Sequence, residues 1–349
     1  MSNISEIDTN FKLETLLDID NIKFYNILNE PFSLFGVKYE NGLYRRLPEA
    51  VAKQVNDGVY NLHIHTAGGR IKFVTDSSFV AVKAVMPSIG KMPHFSLTGS
   101  AGFDMYTGRR ELYTASFIPP FDMTDGFEAV NYFDSKKTRE ITINFPLYSA
   151  VSAVYIGLEN TAKVRKSTGY KHEKPVVFYG SSITQGGCAS RPGSSYQSII
   201  SRALHTDFIN LGFSGSALAE DIIAEHISKL DMSVFVYDYD HNAPTVRHLE
   251  NTHKKMFMKI REKQPDLPVI MLSRPKYILT DEEKQRLAIV EKTYTDAVNN
   301  GDKNVYFIKG TELMKYAKNE GTVDNCHPND LGFYSMARVI LPVLRKLIF

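Results

Sequence analysis

The chain has 349 residues with 41 basic and 39 acidic side chains, a formal charge of +2, and is 43% hydrophobic and 23% charged. This near balance gives no electrostatic reason to propose nucleic acid or an anionic membrane as a partner, and no apolar run reaches the roughly 18 residues that span a bilayer. The length exceeds what one core usually serves, which argues for two domains.

The first residues, MSNISEIDTNFKLETLL, carry acids early and lack the apolar centre of a signal peptide. Two cysteines, Cys188 and Cys326, are too few for a disulfide framework. Both features fit a cytoplasmic, reducing location.

Residues 20 to 160 favour short alternating or β-branched runs, such as GVYNLHIHTAGGRIKFVTDSSFVAVKAVM at 58 to 86 and REITINFPLY at 139 to 148, with turn residues between them. That spacing predicts an antiparallel β-sandwich. The polar, basic stretch KVRKSTGYKHEK at 163 to 174 reads as a solvated linker rather than a binding patch. The expected division is an accessory domain over 1–165 and a second domain over 172–349.

Beyond residue 170, apolar strand runs PVVFYG, DFINLGF, SVFVYDYD, PVIMLSR and NVYFIKG alternate with helical stretches. This is the α/β pattern of a parallel sheet covered by helices on both faces. The last helical stretch contains Pro342, which is expected to kink or interrupt it.

In such a sheet, ligands bind beyond the carboxyl ends of the strands. There the sequence delivers Ser181 and Ser182 after the first strand, Gly215 after the second, His241 and Asn242 after the third, and Asp324 with His327 before the last helix. Acyl transfer needs these parts: a serine hydroxyl, a histidine to take its proton, a carboxylate to orient the imidazole, and N–H donors for the oxyanion. Pro328 keeps His327 out of the α region and so in the loop ahead of the helix.

These residues resemble the SGNH, or GDSL-like, hydrolase superfamily. Gly180-Ser181-Ser182-Ile183-Thr184 looks like its G-D-S-x-T motif, and Asn210 to Gly215 resembles its N-x-G-x-x-G motif. Asp240-His241-Asn242-Ala243 matches G-x-N-D loosely, whereas Asp324-Asn325-Cys326-His327-Pro328 matches D-x-x-H-P in full. The resemblance implies a flavodoxin-like α/β/α domain with Ser182 as nucleophile, His327 as base and Asp324 as its orienting acid. It also implies an oxyanion hole of Ser182, Gly215 and Asn242. Ser181 stands where the family keeps an aspartate, leaving the support of the nucleophile as an open question. GFDMY at 102 to 106 looks like the G-x-D-L-Y signature of the β-sandwich preceding certain SGNH esterases, many of them carbohydrate-active.

The implied activity is a serine esterase acting on short acyl esters, with acetyl groups on a carbohydrate foremost, needing neither metal nor organic cofactor. The alternatives are a lipase or thioesterase on longer chains, and a carbohydrate-binding protein whose hydrolase half has decayed. His63 and His65 read as two strand histidines rather than metal ligands, and Asp238, Asp240 and His241 as strand-end polar residues. Cys188 and Cys326 fall in predicted active-site loops but read as small apolar residues.

Overall fold

The computed structural model describes residues 15–349; the N-terminal stretch weighed for targeting lies in part outside them. Among the described residues, the first half holds two large antiparallel sheets and a two-stranded one that pairs Lys38–Glu40 with Leu43–Arg45. One large sheet runs, in spatial order, Ile22–Asn26, Ala153–Glu159, Phe79–Val85 and Gly126–Tyr132. The other runs Val164–Arg165, Arg70–Thr75, Arg139–Asn144, Phe103–Thr107 and Leu112–Phe117, with Ser33–Phe35 also paired to Arg70–Thr75. Alternate residues of both sheets, including Ile71, Phe73, Val80, Val82, Ile141 and Ile156, face each other in one core.

The second half is a parallel sheet of five strands: β1 (His172–Gly180), β2 (Thr206–Gly212), β3 (Val234–Asp238), β4 (Val269–Leu272) and β5 (Val305–Ile308). Their spatial order is β2-β1-β3-β4-β5, the flavodoxin-like arrangement. Because strand side chains alternate, Val177 and Tyr179 pack with helices α3 (Asp221–Ser228), α4 (Val246–Lys263) and α5 (Asp281–Asn299). Val176 and Phe178 pack on the other face, with α2 (Tyr196–Leu204) and α6 (Asp330–Ile348). Burying each such side chain contributes about 1.5–3 kcal/mol, which is how the pattern fixes the three layers.

Three expectations need correction. The stretch around His63 and His65 is not a strand: Asp57–Leu62 is a short helix capped by Asn56, which accepts the Val59 N–H, and His63 ends it. Of the two outcomes expected at Pro342, interruption does not occur: helix α6 continues through it. Both Pro342 and Arg338, whose carbonyl loses its intrahelical donor, lie on the exposed side, where water can satisfy that carbonyl. The basic stretch at 163 to 174 is not simply solvated, since Tyr170 is buried beneath the Arg70 and Lys72 cations.

Arg70 and Arg46 belong to the first half and reach into the second. Arg70 donates to the Phe208 carbonyl at 3.0 Å and pairs with Asp207. Arg46 donates to the carbonyls of Gly212 at 2.6 Å, Asn210 at 3.0 Å and Leu62 at 2.8 Å. A short helix, Glu49–Val55, places Ala52 in the core formed by α3 and α4.

Candidate active site

Gly180, Gly212 and Asp238 are paired in register across β1, β2 and β3, so three strands end level with one another. A Cβ on Gly180 would lie 2.1 Å from the Asp238 carbonyl oxygen, so only glycine lets the chain leave β1 here. Ser182 opens the short helix α1 (Ser182–Gln185), and its side chain is held at this edge with the residue only 5% exposed.

Ser182 Oγ lies 3.0 Å from His327 Nε2, to which it donates when the ring is neutral, and His327 Nδ1 donates to Asp324 Oδ2 at 2.7 Å. Asp324 Oδ1 also accepts the N–H groups of Cys326 at 3.0 Å and His327 at 2.7 Å, folding the loop into a compact turn. That loop is tied to the serine side, because Cys188 N–H donates to the Pro328 carbonyl at 3.0 Å. Asn329 caps α6 by accepting the Gly332 N–H, which leaves Asp324 and His327 free of capping duty.

The Cys326 sulfur beside it and the Asp324 carboxylate hold the His327 imidazolium up to about 9, against the opposing effect of burial. Burial would raise the Asp324 carboxyl, yet the hydrogen bonds from His327 and Cys326 bring it below its ordinary value. Cys326 Sγ lies 3.0 Å from His241 Nε2, and burial pushes that neighbouring imidazole down to about 3, so it is neutral.

Gly215 has φ +66°, a left-handed conformation that suits glycine, in the turn after β2. Its N–H has no hydrogen-bond partner among the described residues. Asn242 Nδ2 donates at 2.7 Å to the Phe213 carbonyl of that same turn, which uses one of its two N–H bonds. Thus the structure brings Ser182, His327, Asp324, Gly215 and Asn242 to one rim.

The support of the serine is distributed. Ser181 Oγ caps α1 by accepting the Ile183 N–H at 3.1 Å. Thr184 Oγ1 donates to Asp238 at 2.9 Å, and the Tyr196 hydroxyl donates to the same oxygen at 3.2 Å. Asp238 is fully buried, and burial carries its carboxyl up to about 7. The first half contributes directly: the Tyr148 hydroxyl donates to the Ser182 carbonyl at 3.1 Å, and Gln185 donates to the Leu147 carbonyl at 3.2 Å.

GFDMY supplies the other tie. Asp104 is buried and accepts from Asn144 at 2.7 Å, Gly193 N–H at 2.8 Å and Arg191 at 3.1 Å. Sequence reasoning noticed the motif without seeing that its aspartate braces the loop after α1. It missed Tyr148 and His94 altogether, because each arrives from the first half with no local pattern to mark it.

Among the described residues, two groups of side chains have ligand atoms close enough to hold a cation, within 4.8 Å of one another: His94 with Cys188 and His327, and Asp324 with Cys326 and His327. Burial raises the Cys188 thiol to about 12. His63 and His65 belong to neither group: His63 contacts Arg45, and His65 faces Gln185 at 3.3 Å.

The profile of the GDSL-like lipase/acylhydrolase family matches residues 173–345, and that of the N-terminal domain of SGNH-hydrolase-type esterases, GxDLY, matches 22–164. The chain belongs to the GDSL-like lipase/acylhydrolase family. It is accordingly a carboxylic ester hydrolase. Among solved structures, a putative GDSL-like lipase from Bacteroides ovatus superposes with a TM-score of 0.84 at 28% identity, covering 94% of this chain and 98% of that one. The salicylyl-acyltransferase SsfX3 from a tetracycline biosynthetic pathway gives 0.76 at 18% identity, covering 95% and 100%. A family two carbohydrate esterase from Cellvibrio japonicus gives 0.62 at 11% identity, covering 94% and 98%. The last two share the fold. No curated protein matches the chain significantly.

Proposed function

We propose that this GDSL-like hydrolase is a serine esterase that removes short acyl groups, acetyl foremost, from a carbohydrate. Ser182 Oγ attacks the ester carbonyl as His327 Nε2 takes its proton. The oxyanion then accepts from the N–H groups of Ser182 and Gly215 and from the Asn242 N–H not committed to Phe213. His327, held by Asp324, returns the proton to the leaving alcohol oxygen. Water, deprotonated by His327, then hydrolyses the acyl-enzyme and regenerates Ser182.

The observation that carries this reading is the hydrogen-bonded chain Ser182–His327–Asp324, 3.0 and 2.7 Å long at its two links, beside the Gly215 turn. The preference for a short acyl group is supported by the burial of Ser182, at 5% exposure, with its backbone carbonyl held by the Tyr148 hydroxyl. The carbohydrate is supported by the preceding sandwich and by the fold shared with a carbohydrate esterase.

Hydrolysis of p-nitrophenyl acetate and octanoate by the native chain and Ser182→Ala is the test. The native chain is expected to prefer acetate steeply, and Ser182→Ala to lose about 10⁴-fold or more in kcat. Equal rates for the two proteins would sink the nucleophile assignment. Release of acetate from acetylated oligosaccharides then addresses the alcohol side.

A further inference from the structure

We propose that His94, Cys188 and His327 form a binding site for a soft divalent cation, Zn²⁺ above all, which shuts the esterase off reversibly. The three side chains come from different places: His94 from a loop of the first half, Cys188 from the turn after α1, and His327 from the loop before α6. Their ligand atoms nevertheless lie within 4.8 Å of one another, and the His94 and His327 rings are 5.6 Å apart between centroids. Bond lengths of about 2.0–2.1 Å to nitrogen and 2.3 Å to sulfur bring tetrahedral ligands to separations of roughly 3.3–3.8 Å. Rotation of His94, which is exposed, closes the difference.

The rest of the geometry favours a cation. Asp324 accepts from Nδ1 of His327 at 2.7 Å, which puts the ring's lone pair on Nε2 and makes it more basic, as a carboxylate behind a zinc-ligating histidine does. Cys188 is held against the same loop by its N–H bond to the Pro328 carbonyl. A bound cation removes a thiol proton outright, and a nitrogen and sulfur ligand set selects Zn²⁺ over Mg²⁺ or Ca²⁺. Ser182 Oγ, 3.0 Å from Nε2, borders the fourth position, which it or water can fill. Inhibition rests on the reading of His327 as the base: one lone pair cannot hold a cation and accept the serine proton together.

The test uses the reduced full-length chain. Zn²⁺ binding is followed by calorimetry, Co²⁺ binding by absorbance, and acetate ester hydrolysis is measured with the metal and again after a chelator. Expected are one Zn²⁺ per chain, a thiolate-to-cobalt charge-transfer band, and loss of hydrolysis that the chelator restores. Cys188→Ser and His94→Ala should each weaken binding beyond the roughly 10- to 100-fold that loss of a mere supporting partner costs. Each should raise the Zn²⁺ needed for half-inhibition in step. Absence of saturable uptake, a Co²⁺ complex without the thiolate band, undiminished binding in both variants, or full occupancy with hydrolysis unchanged would each overturn the proposal. The band in the native chain decides the thiolate ligand even where a variant folds poorly. Failure of the serine mechanism shows separately, in the metal-free comparison of native chain and Ser182→Ala.

Discussion

Ser181 is too short to replace an aspartate's hydrogen bonds, and it serves only as the cap of α1. The carboxylate beneath the nucleophile is instead Asp238, reached through Thr184 and Tyr196. Its buried carboxyl, raised to about 7, gives a stability signature of known sign. The unfolded chain loses this proton near pH 4 while the folded chain keeps it to about 7, so the contribution is full at low pH and is lost as pH rises through that window. Thermal unfolding of native chain and Asp238→Asn from pH 4 to 8 should show the native chain losing ground steadily relative to the variant. A constant difference would mean that Asp238 is ionised throughout. His327 gives a prediction for activity instead. Only neutral imidazole can accept the Ser182 proton, so kcat/KM should climb through neutrality toward a plateau above about pH 9. Cys326→Ala removes the sulfur that contributes most to that elevation and should shift the rising limb to lower pH. An unmoved limb would show that Asp324 alone sets it.

At the scale of elements, the five strand and helix pairs of the hydrolase half were legible because short continuous apolar runs and 3.6-residue stripes alternate along the chain. Asp324 and His327 were legible because both ends of their hydrogen bond lie in one loop. The helix Asp57–Leu62 was not, because LHIH mimics strand alternation and outweighs the single capping residue, Asn56, ahead of it. Contacts between halves leave no local trace: Tyr148 looks like any strand-end aromatic until its hydroxyl is found on the Ser182 carbonyl. The GFDMY strand is where the cost of this brace can be measured. Asp104→Ala leaves Arg191, Asn144 and the Gly193 N–H without their acceptor, and should destabilise the chain by about 3 kcal/mol in urea unfolding. A loss under about 1 kcal/mol would show that water replaces the carboxylate readily.

For the whole molecule, the two halves share their interiors. Ala67, Phe95, Leu147 and Tyr148 lie in the same core as α2 and α6, and Leu47, Ala52 and Val59 in the same core as α3 and α4. A fragment of residues 166–349 would expose both surfaces, so it is expected to aggregate or bind a hydrophobic dye, whereas the full chain unfolds in a single transition. A soluble fragment with native-like near-ultraviolet circular dichroism would contradict this. Arg46 gives that dependence a particular form. Its guanidinium gathers the carbonyls of Asn210 and Gly212 just before the chain turns at Gly215, and rests on the Phe213 ring. A chimera that grafts a foreign module in place of the first half would therefore keep every residue named in the reaction and still lose the clamp on the strand end that aims them. Redesign of selectivity has to begin from both halves together.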